Sequence, residues 1–531
     1  MPTTSRRRPR APAALSVTAC GIGALVCVPI LYVFARAADA GLSGYLGTVL
    51  SRSGLEFLGS TLLLVAGVVA VTVAVSVPLA WLVVASDLPE RKVWAALAAL
   101  PLVFPSYISA FALVAVFGPK GFLQQWLAPL GVERLPGIAY GYSGALLALS
   151  LFTYPYVYLL LVVALRGIDP ALEESARSLG TGRWRAFLRV TLPQLRAPIV
   201  AGSLLVALYA LSDFGAVSIV RYNTLTLSIY TAYRSLFDRG VAASMSTVLI
   251  LLALALIAVQ AGLLRGARRA GGSPARPRKQ VPLGSWRWPC RLLMASWCLL
   301  TLGVPVAVIL FWCLRALVVG NPLGEAWGAA WNSTAVSILA ALAAVALALP
   351  VARWSSRYPS FLSRAVERVS YSGFALPGLV IALSLVFLAT RHLSVLYQSL
   401  ALLVAAYVIR FLPESLSAAC TALAGVEPTY EEAGRSLGRG PLAVVRTVTL
   451  PLIRPGLLAG FGLVFLTSMK ELPATLILRP IGFETLATRI WSTAAEGIFS
   501  KAALPALLLL LVSAPPLYWL AIRPALAGRS S

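Results

Sequence analysis

Residue types that do chemistry are scarce in this chain of 531 residues, and their spacing excludes most of what they could do. The single histidine, His392, stands alone. The six cysteines, Cys20, Cys27, Cys290, Cys298, Cys313 and Cys420, form no CxxC pair and sit mostly inside apolar runs. Buried, inert thiols are the expectation, with no metal site and no cofactor. There is no GxxxxGK[ST] loop to cradle phosphates, so the chain does not by itself bind and hydrolyse ATP by the P-loop route. Neither a GxSxG elbow nor an HExxH helix occurs, and a membrane-embedded enzyme has no catalytic constellation to support it.

What remains is a set of acids, glycines and prolines at repeated spacing. EESARSLGTGRWRAFLRVTLPQLRAPIVAG begins at Glu173, and EEAGRSLGRGPLAVVRTVTLPLIRPGLLAG begins at Glu431. Gly438 follows Gly180 by 258 positions, and the same offset relates Pro451 to Pro193 and Gly460 to Gly202. A register held that far makes the halves homologous. Asp169-Pro170 and Glu427-Pro428 precede the copies, matching proline near a helix start, and Glu173, Glu174, Glu431 and Glu432 fall in the first turns, where the helix dipole favours negative charge. Gly180 and Gly438 then end a short helix at a left-handed or close-approach position. A turn and a second helix follow, entering the membrane near Pro198 or Pro455.

Asp213 and Glu471 share the 258-residue offset and lie about twenty residues beyond the LP pairs. A charge at mid-membrane costs about 2.5–3.5 kcal/mol on insertion scales, so such an acid faces a partner or a watery path. They are candidates for a translocation path or gate that favours a cation, as acidic rings do in channels. The competing reading is structural: Glu471 pairs with Lys470 or Arg410, and Asp213 caps the end of its span beside Gly215.

Composition decides what kind of scaffold carries these residues. Hydrophobic residues make up 59% of the chain, charged residues 12%, and mean hydropathy is +0.85, against about 45–50% apolar and about 25% charged in soluble domains. An all-α polytopic membrane protein is expected. Runs long enough to span fall near 14–35, 60–85, 93–117, 142–165, 198–220 and 241–264, then near 291–318, 332–352, 369–390, 395–421, 455–478 and 502–522. These predict about twelve spans in two sets of six. An even number per half gives parallel repeats.

The net charge of +25 invites a nucleic-acid reading, but the basic residues sit where the positive-inside rule puts them. Arg6, Arg7, Arg8, Arg10, Arg91, Lys92, Arg353, Arg357, both motifs and the arginines between the halves fall on one side, with isolated charges such as Lys120, Arg134 and Arg391 on the other. No nucleic-acid partner is expected, and both termini are expected to be cytoplasmic. The organisation read from this is a basic tail at 1–13, a first six-helix repeat at 14–265, a Gly/Pro/Arg-rich linker at 266–289 and a second six-helix repeat at 290–525. The first apolar run is read as a retained helix rather than a removed signal peptide.

The pattern of Glu, two small residues, three positions, Gly, and LP a dozen residues later resembles the EAA signature loop of ABC importer permeases. There a coupling helix docks into a groove of the ATP-binding subunit. Residue by residue the match gives Glu174, Ala176, Gly180 and Pro193, then Glu432, Gly434, Gly438 and Pro451; Ser175 and Gly434 depart from the pattern but stay small. ALSDFGAVSIVRYNTLTLSIYTAYRSLFDR and KELPATLILRPIGFETLATRIW look like the fused, two-half permeases of bacterial ferric iron importers. The resemblance implies a permease of the bacterial inner membrane that works by alternating access. Its partners are two ATP-binding subunits, a periplasmic iron-binding protein and the lipid bilayer. Related permeases handle thiamine, polyamines or sulfate. From a different class, a secondary transporter driven by an ion gradient would use Asp213 and Glu471 as coupling sites.

Overall fold

A computed structural model describes residues 11–39, 41–119, 121–130, 137–264, 280–320 and 324–519. Residues 1–10 of the expected tail, 266–279 of the expected linker, Lys120, Arg134 and the chain after 519 lie outside the described residues. Those described are helical throughout, joined by turns and by one isolated parallel bridge between Ser86 and Val281.

In the first half the principal helices are α1 (Ala13–Ala38), α2 (Arg52–Ala85), α3 (Arg91–Ala99), α4 (Ser106–Phe117), α5 (Gly141–Gly167), α6 (Ala171–Ser178), α7 (Arg196–Ser212), α8 (Gly215–Ile219), α9 (Leu225–Arg234) and α10 (Arg239–Leu263). In the second they are α11 (Arg287–Cys298), α12 (Val304–Val319), α13 (Gly324–Arg357), α14 (Phe361–Tyr371), α15 (Gly378–His392), α16 (Leu400–Ala424), α17 (Pro428–Ser436), α18 (Leu450–Met469), α19 (Pro473–Leu478), α20 (Leu486–Ala495) and α21 (Phe499–Leu517).

Among the described residues ten helices are long and apolar enough to cross a membrane, or eleven if the pair 184–194 and 196–212, bent by 63°, counts as one span. Gly378–His392 is apolar but shorter. The expected runs at 93–117 and 369–390 are each divided. An amphipathic helix, α3 or α14, is followed by a tight turn (Leu100–Val103, Ser372–Ala375), and the apolar helix begins just after Pro105 or Pro377. Proline lacks the N–H that would carry a helix through these points. The expected runs at 198–220 and 455–478 also stop short, at Ser212 and Met469.

These helices expose apolar side chains such as Leu62, Leu63, Leu251, Leu254, Leu339 and Leu342 while keeping their backbone groups bonded internally, the arrangement that hydrocarbon demands. Buried alanines on α13 (Ala340, Ala341, Ala344, Ala348) and paired glycines let neighbouring helices approach closely. A Cβ on Gly202 of α7 would lie 2.8 Å from the Cα of Val157, and one on Gly460 of α18 would lie 3.3 Å from the Cα of Ser415. These four positions keep the 258-residue offset.

The described chain forms two compact units. One gathers residues 11–45, 324–489 and 511–519; the other holds 46–320 and 490–510. In the first unit α1 packs on α13, α14 and α15, with Tyr32 Oη donating to the Phe387 carbonyl at 3.3 Å and Ser384 Oγ to that of Pro29 at 2.8 Å. In the second unit α12 packs on α4, and Phe311 meets Phe122 edge-on at 4.6 Å. The opening helix of each sequence half therefore belongs to the unit built mainly from the other half. At the end of the expected linker, the Val281 N–H bonds the Ala85 carbonyl at 2.8 Å. Asp87 receives the Leu283 N–H at 2.8 Å and the Arg287 guanidinium at 2.5 Å.

Candidate functional site

Both copies of the motif fold alike. In α6 the Asp169 carboxylate accepts the Ala171 N–H at 3.0 Å, and in α17 Pro428 occupies the first turn, where its missing donor costs nothing. Each helix then ends in a paired hydrogen-bond clasp. The Gly180 N–H bonds the Arg177 carbonyl at 3.0 Å and the Thr181 N–H that of Ala176 at 3.1 Å. Gly438 and Arg439 do the same to Arg435 at 2.9 Å and Gly434 at 3.2 Å. This is the Schellman ending, which needs a left-handed residue; φ is +82° at Gly180 and +80° at Gly438. Ala176 and Gly434 thus supply the carbonyls that close the turn. The Leu179 and Leu437 side chains beside it are 85% and 80% exposed, so each short helix presents an apolar tip.

The LP pairs follow one turn of π-helix, Phe187–Thr191 in one copy and Val445–Thr449 in the other. The Leu192 N–H reaches back five residues to the Phe187 carbonyl, and that of Leu450 to Val445. Widening the helix there relieves the clash a proline ring makes with the carbonyl four residues earlier, so Pro193 and Pro451 fit at exposed positions.

Of the four adjacent glutamates, Glu174 and Glu432 are exposed while Glu173 and Glu431 are buried. Thr191 Oγ1 donates to Glu173 at 2.8 Å and Thr449 Oγ1 to Glu431 at 3.2 Å. Around Glu431 stand Arg357 at 3.2 Å, Arg435 at 3.5 Å and Arg353 at 3.6 Å. Sequence reasoning placed Glu173 and Glu431 only in a first turn. The available signal was that both glutamates and both threonines keep the repeat offset.

Asp213 and Glu471 lie at breaks between helices, just past α7 and α18, and are 7% and 5% exposed. Asp213 Oδ1 accepts the N–H groups of Ala216 at 2.9 Å and Val217 at 3.3 Å, at the start of α8. Glu471 Oε1 accepts that of Ala474 at 3.2 Å, in α19, and is bonded by Arg410 Nη1 at 2.9 Å. A Cβ on Gly378 would overlap the Arg410 and Glu471 side chains of this ion pair, which would have to shift. Nearby, Thr467 Oγ1 donates to Glu414 at 3.0 Å. The repeat offset puts Phe152 where the second half has Arg410, Tyr156 for Glu414 and Tyr209 for Thr467; the two tyrosine rings are 6.0 Å apart. Arg410 and Glu414 of the second half thus stand where the first has aromatic rings. Among the described residues no group of three or more His, Cys, Asp or Glu could hold a metal ion.

Apolar helices in a duplicated set, each half presenting one glycine-ended short helix, define a multi-pass membrane permease built from two repeats. The chain belongs to the family of binding-protein-dependent transport system inner membrane components, whose model matches residues 90–269 and again 344–522. It is 32% identical over 511 residues to the Fe(3+)-transport system permease protein FbpB 2 of Haemophilus influenzae, covering 94% of this chain and 96% of that protein. Shorter stretches resemble the molybdenum transport system permease protein ModB of Escherichia coli, 31% identical over 200 residues, 36% of this chain and 86% of that protein. The sulfate transport system permease protein CysT of Escherichia coli is 29% identical over 185 residues, 34% of this chain and 65% of that protein.

Proposed function

We propose that this chain is the membrane-spanning subunit of an ATP-driven ABC importer for ferric iron. The observation that carries the ATP-driven part is the matched pair of Schellman-ended helices, α6 and α17, each offering a rigid backbone turn and an exposed leucine. Two copies of an ATP-binding subunit dock there, on the cytoplasmic side. That orientation agrees with the arginine-rich flanks of both motifs and places both termini inside. ATP is hydrolysed on the partner chains, and a periplasmic binding protein delivers the substrate to the opposite face. Docking residues are Glu174, Ala176, Gly180 and Pro193 in one copy and Glu432, Gly434, Gly438 and Pro451 in the other. In each half the acid at the helix break, Asp213 or Glu471, is assigned to the translocation path.

The iron assignment is supported by similarity to an Fe(3+)-transport permease along nearly the whole of both chains, whereas the molybdenum and sulfate permeases match only part of this chain. Radiotracer uptake in a deletion strain complemented with this chain tests it. Restored uptake of ferric iron, with sulfate, molybdate and thiamine uptake unaffected, is the expected result. Restoration of one of the other substrates in place of iron reverses the assignment. Uptake that persists without ATP and collapses with the ion gradient overturns the ATP-driven reading.

A further inference from the structure

The buried glutamate of the second motif holds its short helix among three arginines. Glu431 is 2% exposed, and an ionised carboxylate so placed must be paired and hydrogen-bonded. Its Oε1 accepts from Thr449 Oγ1 and Arg357 Nε, both at 3.2 Å, and its Oε2 faces Arg435 at 3.5 Å and Arg353 at 3.6 Å. Thr449 closes the π-turn ahead of the LP pair. Arg353 and Arg357 sit in the last turns of α13, a 34-residue apolar helix. Arg357 Nη2 also donates to the Val426 carbonyl at 2.8 Å, just ahead of α17. One carboxylate therefore joins three elements: the short helix, the start of the LP helix and the end of a long bundle helix.

In the first half, aromatic rings stand where the second half has the arginines of α13. α2 also has 34 residues and, like α13, carries its proline at the same place, Pro78 against Pro350, 272 positions apart. That register sets Trp81 opposite Arg353 and Ala85 opposite Arg357. Trp81 stacks on Trp184 at 5.8 Å and meets Phe187 edge-on at 6.3 Å, while Glu173 accepts from Thr191. Stacked rings can slide over one another with little loss. Arg357, which bonds the Glu431 carboxylate through Nε and the Val426 carbonyl through Nη2, fixes both distance and direction.

Resting on the ATP-driven reading above, we infer that Glu431 is a positioning residue: it ties α17 to α13, so that displacement of the docked helix moves the bundle in the second half as one body. The joint acts on how far ATP hydrolysis is converted into uptake, rather than on docking, because Glu431 is buried in the first turn of α17 whereas Leu437 and Gly438 are exposed past its C-terminal end.

The test uses the full complex of this chain with its ATP-binding subunits, in proteoliposomes loaded with ATP and supplied outside with the binding protein carrying ferric iron. Glu431→Gln keeps the shape and removes the charge. It is expected to lower iron taken up per ATP hydrolysed about tenfold while the ATP-binding subunits remain associated, and Glu431→Asp recovers part of the ratio. Arg357→Gln is the second variant, read in the same way should Glu431→Gln fail to assemble. An unchanged uptake-to-ATP ratio in either assembled variant overturns the inference, as does a parallel loss of uptake and hydrolysis that leaves the ratio intact. If the wild-type chain neither binds an ATP-binding subunit nor couples its hydrolysis to uptake, it is the ATP-driven reading that fails.

Discussion

At Gly180 and Gly438 a single residue type is demanded by backbone conformation rather than by volume. Among the described residues no atom beyond the adjoining chain lies within 4 Å of the place a Cβ would occupy at either position, so the constraint there is the positive φ. A residue with a side chain in that region costs about 1–2 kcal/mol, and asparagine is tolerated there better than most. Gly180→Asn and Gly438→Asn are therefore expected to keep uptake near the wild-type level. Gly180→Arg and Gly438→Arg each weaken association with the ATP-binding subunit and reduce uptake, and the double arginine variant abolishes it. Copurification of the subunit alongside uptake checks this; wild-type association in the double variant would show that the turn is not a docking element.

Helices that meet through glycine depend on a different property, the missing volume. A Cβ on Gly202 would come within 2.8 Å of a neighbouring backbone carbon, whereas one on Gly460 meets the Ala418 Cβ at 3.1 Å and backbone only at 3.3 Å. Forcing extra volume between packed helices costs about 1–3 kcal/mol. Gly202→Ala is thus expected to lower the melting temperature of the detergent-purified protein more than Gly460→Ala, and the reverse order would contradict this packing. The end of the linker is held by polar contacts instead. The Arg287 guanidinium and the Leu283 N–H keep the Asp87 carboxyl below its ordinary value of 3.8. A carboxyl lowered by folding contributes stability above its unfolded value and loses it as pH falls through the lowered one. Protection of residues 280–291 from proteolysis should persist through the neutral and mildly acidic range and fail in strong acid, and Asp87→Asn should lose it at neutral pH. Much at this scale was legible in the sequence: both short helices, their glycine ends and the long apolar helices follow from spacing and hydropathy. The breaks before α4 and α15 were not, because hydropathy runs on across Pro101, Pro105 and Pro377. Nor was the joint at Glu431, because Arg353 and Arg357 are far from it in sequence and also satisfy the positive-inside pattern.

Taken as a whole, the molecule is a duplication whose halves have kept their register and changed their chemistry, and Asp213 and Glu471 carry the sharpest test of it. Both are buried acids at helix breaks that cap the following short helix, but Arg410 is bonded to Glu471 at 2.9 Å, while Phe152 occupies the matching position in the first half. Removing one partner of a buried ion pair leaves the other charge uncompensated, at a cost of about 3–5 kcal/mol. Glu471→Gln alone is therefore expected to reduce the yield of assembled complex, and adding Arg410→Gln should restore much of it. Asp213→Asn keeps an oxygen acceptor for the Ala216 and Val217 N–H groups, so assembly and ATP hydrolysis should survive while uptake of a cationic substrate falls at least tenfold. Joined to the Arg410→Gln, Glu471→Gln pair, it should abolish uptake in a complex that still forms. Normal uptake by the Asp213→Asn variant would leave the acid with its capping role alone and remove it from the path. Uptake that fails only when assembly fails would do the same for Glu471, because loss of a structural ion pair lowers yield and transport together, whereas loss of a path residue lowers transport in a complex that is intact.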